Sequence, residues 1–144
     1  MNIYPKNGIG ELLFGMKQQH VITLIGKPNK QFTDEEKNVV YLYNQHKLRL
    51  TFYEEEEFRL GYMVISHPET TLFDKEVIGR MPKEVQNEAP ERIYKSWEIA
   101  EEDGIVSYFN EDNWLMLICE FDEITKVEVG AIIENDEFDW RFSG

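Results

Sequence analysis

The chain has 144 residues, 42% of them hydrophobic and 13% aromatic, and a formal net charge of −13. That length supports one ordinary domain, which buries roughly 70% of the surface its unfolded chain exposes and folds without disulfide or metal, and the hydrophobic content excludes a disordered chain. The charge excludes nucleic acid and anionic membrane as partners, because both would be repelled, and favours a basic protein, whose approach opposite charge would steer.

The first helical signal lies in "FGMKQQHVITLIGKP", Phe14 to Pro28. Met16, Val21, Leu24 and Ile25 recur at helical spacing, Gly26 stands where a left-handed cap is wanted, and Pro28 ends the run. A polar linker follows. "VVYLYNQHKLRLTFY" then reads as a hairpin turning at Asn44 to Lys47, with Leu48, Leu50 and Phe52 on one face and Lys47, Arg49 and Thr51 on the other. "FRLGYMVIS" is a third strand, after the acidic turn Glu54 to Glu57.

A second helix is predicted from Pro82, which suits a first helical turn, to about Glu88, with Met81, Val85 and Ala89 as its stripe. "RIYKSWEIA" reads as a strand, "IVSYFNEDNWLMLICEF" as a second hairpin and "ITKVEVGAI" as the last strand. Gly15 and Gly79 each precede a valine, Val21 and Val85, by six positions, and a proline closes each run. These echoes predict a single α+β domain, 1–144, of two tandem helix–antiparallel meander repeats, about 8–70 and 73–144. The repeats share one sheet, with the short helices packed on one face.

The Gly15 to Pro28 segment with "LIGKPN" and the meander after it resembles the repeat of beta-lactamase inhibitory proteins. It is also similar to the small outer-membrane-assembly lipoprotein that shares that helix–sheet unit. The resemblance implies a short helical segment packed on an antiparallel sheet, with binding through the sheet surface or its loops. With one cysteine the chain lacks the two disulfides of the secreted inhibitors, which argues against a beta-lactamase target. In size and acidity it resembles, more loosely, the acidic immunity proteins that neutralise bacterial toxins.

No catalytic constellation is legible. His20, His46 and His67 stand at no metal-binding spacing. Cys119, in "LMLICEF", falls among apolar neighbours that raise a thiol's pKa, which makes it core filling. Gly8 and Gly10 lack the preceding strand and the lysine-serine pair of a phosphate loop, and no acidic stretch has calcium-loop spacing. No metal and no cofactor is expected, and the chain reads as a binding protein and not an enzyme. The lone cysteine, the absence of a charged-then-apolar leader and the lack of a membrane-length apolar run predict a cytoplasmic protein.

One strand breaks the pattern of an ordinary covered sheet. Trp114, Met116 and Ile118 occupy the face opposite Leu115, Leu117 and Cys119, so both faces are apolar. The simpler explanation is that the aromatic tail "EFDWRF" or a loop covers the extra face; the functional one is a partner-binding patch anchored by Trp114. Acidic groups cluster at Glu54, Glu55, Glu56 and Glu57 and at Glu120, Asp122 and Glu123, and two hairpins in one sheet would place both on one rim. Either they are solvated turns or they meet a basic partner. The expectation is a non-catalytic, acidic protein-binding domain, an immunity or inhibitor protein that occludes a basic partner such as a bacterial toxin. A small-ligand or transport-accessory module and a homodimer through the apolar strand are the competing readings.

Overall fold

Alternation of Leu48, Leu50 and Phe52 with Arg49 yields a strand, and the computed structural model, which describes residues 1–143, builds most of the chain from such strands. Three two-residue strands open it, β1 (Ile3–Tyr4), β2 (Gly8–Ile9) and β3 (Leu12–Leu13), paired in that order. The helix α1 (Gln18–Ile25) is followed by β4 (Lys30–Thr33), β5 (Val39–Tyr43), β6 (Leu48–Tyr53) and β7 (Arg59–Ile65). A small hairpin, β8 (Thr71–Leu72) and β9 (Lys75–Glu76), precedes α2 (Pro82–Glu88). Then come β10 (Glu98–Glu102), β11 (Ile105–Asn110), β12 (Leu115–Glu120) and β13 (Glu123–Gly130), and a last hairpin, β14 (Ile133–Glu134) and β15 (Glu137–Phe138).

Eight strands form one antiparallel sheet in the order β10-β11-β12-β13-β7-β6-β5-β4. It consists of two meanders whose last strands lie side by side, with Val127 opposite Ile65 and Gly130 opposite Tyr62. The protein is therefore mostly β, 43% strand and 15% helix, and the expected α+β fold of two helix–meander repeats is wrong. The helices are too short to form a layer. In α1 only Val21 is fully buried, with Ile22 and Ile25 packed beside it, while Leu24, expected on the buried stripe, is 40% exposed. In α2 Pro82 and Val85 are buried and Met81 is half exposed. The expected polar linker contains β4, an edge strand with no apolar alternation to announce it. The meanders also turn differently. A 3-10 turn, Glu54–Glu56, joins β6 to β7, whereas the other, Glu111–Asn113, joins β11 to β12.

One face of the sheet makes the core. Leu50, Met63, Leu117 and Val127 lie on it, closed over by Ile9, Leu12 and Phe14 of the N-terminal segment, by Val21 and Val85 of the helices and by Leu72. Burial of this apolar area is the main stabilising term. The two echoing glycines share a contact here. The Gly15 N–H donates to the Leu60 carbonyl (2.9 Å) and the Gly79 N–H to the Ile124 carbonyl (2.7 Å), each with a return bond to the next residue's carbonyl. Their φ values, 106° and 88°, lie in the region only glycine enters freely. The echo thus marks two docking points on the sheet rather than a repeated helical unit.

Candidate protein-binding surface

The other face of the sheet can be read across the strands. Phe109, Met116, Glu128, Val64, Arg49 and Leu42 stand in one cross-strand row. Phe109, Met116, Val64 and Leu42 are half-buried, while the helices pack on the opposite, core face. The aromatic tail does not cover this row either. Phe138 lies on Tyr53 (5.8 Å between centroids) and stacks on Trp140 (4.7 Å), and Phe142 lies on His20 of α1 (4.5 Å). Arg141 and Phe142 both donate backbone N–H bonds to the Phe14 carbonyl. The expected tail cover is therefore wrong: those rings are drawn to the apolar edge of the core beside α1.

Trp114 is not a strand residue. It follows the Glu111–Asn113 turn in a left-handed conformation (φ 45°, ψ 58°), a geometry held by its neighbours. The Asn110 Oδ1 accepts from the Asn113 N–H (3.3 Å) and from Asn113 Nδ2 (2.8 Å). Asn110 Nδ2 donates to the Ser96 carbonyl (2.9 Å) and Asn113 Nδ2 to the Ile93 carbonyl (3.0 Å). Both side chains are buried, and every bond satisfies a group that would otherwise be costly. The clamp aims the indole at Gly130, where an added Cβ would come within 2.8 Å of the ring. Tyr62 and Phe109 meet it edge-on at 5.0 and 4.9 Å. Ile118, expected to join this patch, is only 7% exposed.

The Tyr62 hydroxyl donates to Glu128 Oε1. Burial pushes the Glu128 carboxyl above its ordinary range, and the Arg49 cation opposes that. Arg49 itself lies 5.8 Å from the Phe32 ring centre.

Strand register corrects the expected acidic rim. Glu54–Glu57 follow β6 at the end of the sheet where β13 finishes, because Tyr62 faces Gly130. Asp122 and Glu123 belong to the hairpin closed by the Glu120–Glu123 pair, at the other end. What joins Glu54–Glu57 is a group the tail and the second 3-10 turn supply. A groove of about 730 Å³ has Phe109, Trp114, Ile132 and Ile133 as apolar lining and Glu111, Asp112 and Glu134 as its acidic walls. A second, of about 380 Å³, shares Ile133 and adds Glu56, Asp136, Glu137, Phe138 and Trp140. Among the described residues no ion pair engages Glu54–Glu57, Glu111, Asp112 or Glu134. Lys17 Nζ donates to the Glu57 carbonyl (2.6 Å) and Arg59 to the Gly15 carbonyl (3.1 Å), so the nearby cations serve backbone oxygens.

The remaining reactive side chains have local tasks. His20 Nδ1 accepts from the Lys17 N–H (3.1 Å), capping α1, and His67 Nδ1 accepts from the Glu69 N–H (3.1 Å) in a turn. His46 faces the Tyr43 ring. Cys119 is a buried free thiol that burial pushes up to about 11. Among the described residues no three His, Cys, Asp or Glu side chains are grouped to hold a metal ion, and no helix is long and apolar enough to cross a membrane.

No family model and no curated protein matches the chain. Among solved structures it is similar to an extracellular protein containing a SCP domain from Bacillus anthracis str. Ames, at 11% identity and a TM-score of 0.53. The likeness covers 88% of this chain and 49% of that one, so the chain spans about half the length of its structural neighbour. At that identity the likeness concerns the fold alone.

Proposed function

We propose that the chain is a non-catalytic protein-binding domain that acts by occlusion, holding a basic protein against its acidic end; in its finer form it is an immunity or inhibitor protein, for which a toxin domain is the natural basic partner. The observation that carries the reading is the Trp114 corner, where a clamped, half-buried indole borders a groove of mixed apolar and acidic lining whose carboxylates, among the described residues, make no ion pair. An aromatic anchor in a groove with a charged rim is the arrangement from which tight interfaces draw most of their energy and their speed. A reduced, buried Cys119 agrees with a cytoplasmic setting.

The test is to capture the partner from the source cell by affinity purification, then titrate it against variants. Trp114→Ala should weaken binding roughly 30-fold or more. Changing Glu54–Glu57 to glutamine should slow association and flatten its salt dependence while leaving dissociation nearly unchanged. A captured partner indifferent to both variants, or a small molecule carried by the purified protein in native mass spectrometry, would overturn the reading.

A further inference from the structure

The sheet ends in β10, and among the described residues no strand pairs with its outer side. All of Glu98–Glu102 is exposed, with Ile99 at 66%, and Ile105 across the turn is 44% exposed. The β10–β11 turn has two residues, Asp103 (φ 51°) and Gly104 (φ 82°), both left-handed as a type I′ hairpin requires. In such a hairpin the flanking pair, Glu102 and Ile105, exchanges hydrogen bonds, and bonded pairs then alternate along the ladder. The backbone groups of Ala100 and Glu98 therefore face β11, and those of Ile99 and Glu101 point outward without a partner. An edge of this kind is a template for another strand.

Charge selects the occupant. Glu98, Glu101, Glu102 and Asp103 place carboxylates on both faces of the edge, and positions 98–103 hold no lysine or arginine. A second copy of β10 would set carboxylate against carboxylate, which is unfavourable between neighbouring strands. A shallow groove of about 380 Å³, lined by Ala100, Ile105, Ser107, Met116 and Ile118, runs along the same hairpin on the open face and suits alternate apolar side chains.

We infer that β10 accepts an extended, lysine- or arginine-rich segment of a partner protein as a ninth strand, bonded through the outward N–H and C=O groups of Ile99 and Glu101. The inference goes beyond the reading above and stands on the edge strand, not on the Trp114 corner, so either can fail alone.

The experiment uses the full chain, isotopically labelled, with the peptide Lys-Val-Lys-Val-Lys-Val-Lys as probe and Glu-Val-Glu-Val-Glu-Val-Glu as control. Amide exchange at Ile99 and Glu101 should slow about tenfold with the basic peptide, change little at Ala100, and not respond to the acidic one. Glu101→Pro should abolish the slowing at Ile99 without lowering the melting temperature, because proline is tolerated where an edge N–H faces solvent. Should that variant misfold, Glu98→Lys with Glu101→Lys should lose the basic peptide instead. The inference is overturned if no β10 amide is protected, if both peptides act alike, if protection appears only around Phe109 and Trp114, or if the chain alone protects Ile99 as its concentration rises, which would give the edge to a second copy.

Discussion

The two meanders have four strands each, yet their outer halves are held very differently. In the first, α1 is bonded to β5 at both ends. Gln18 Nε2 donates to the Tyr41 hydroxyl (2.9 Å), and the Tyr43 hydroxyl donates to the Gly26 carbonyl (2.8 Å). In the second, the polar anchors of α2 meet one another. Arg80 donates to both Glu88 carboxylate oxygens (2.8 and 2.6 Å) and Lys75 adds a third bond (3.2 Å), none of them to the large sheet. Tyr41 and Tyr43 of β5 are consequently buried, whereas in β11 only Asn110 is, and in β10 nothing. Strand pattern alone does not decide burial. The cover decides it, and a few polar anchors decide where the cover sits. One meander is thereby firm, the other ends in a free hairpin, and the Trp114 corner lies beside the seam between them.

The sharpest way to break this comparison is to cut apolar side chains from both meanders. Leu50→Ala, at a fully buried position of the first meander, should cost about 2–5 kcal/mol because it leaves a cavity among packed neighbours. Ile99→Ala, in the free hairpin, should stay within about 0.5 kcal/mol, as exposed positions do. Urea denaturation of the two variants measures both. Equal losses would mean that β10 is covered in solution and that the two meanders are alike.

A smaller effect tests how the outer half of the second meander is tied down. Asn113→Ala removes the donor to the partly buried Ile93 carbonyl and leaves Asn110 Oδ1 only the longer bond from the residue 113 N–H (3.3 Å), so it should cost about 1–3 kcal/mol. Amide exchange should quicken at residues 93–97 and around Trp114 while β5 and β6 stay unchanged. A variant that loosened both meanders equally would show that the clamp serves the whole sheet.

The same contrast explains what the sequence could disclose. β5, β6, β7, β12 and β13 are buried on at least one face, and their residues alternate or run apolar accordingly. β4 and β10 are edge strands, where no face is buried, so "KQFT" and "EIAEE" carry no pattern to read. "RIYKSWEIA" looked like one strand because of its aromatics. Tyr94 instead packs against Phe73 (5.0 Å) in a segment the asparagine clamp holds, and the strand begins only at Glu98. The helical stripes pointed to helices of the right place and length, but how much of the sheet they cover is a tertiary quantity. At the candidate site, the two apolar faces near Trp114 were legible. The seat of its ring on Gly130 and its contacts with Tyr62 and Phe109 were not, since they join strands far apart in sequence. Asp122 and Glu123 looked equivalent to Glu54–Glu57 as acidic turns, and only register shows that the two turns close opposite ends of the sheet.

The smallest effect concerns the ion cluster at the outer side of α2. The Arg80 guanidinium, with help from Lys75, draws the Glu88 carboxyl from its ordinary 4.5 down to about 2. A carboxylate whose pKa falls on folding stabilises the fold fully above its unfolded value, and that contribution is lost as pH drops through the folded value. The wild-type chain should thus lose a Glu88-dependent part of its stability between about pH 4.5 and 2. Glu88→Gln removes that part at every pH. Melting temperatures of the two should differ most above pH 4.5 and converge towards pH 2. Solvent screens the cluster, with 63% of the Lys75 side chain and 20% of the Glu88 side chain exposed, so the difference should stay below about 1 kcal/mol. A constant gap between wild type and variant down to pH 2 would mean that Glu88 acts by packing and not through its charge.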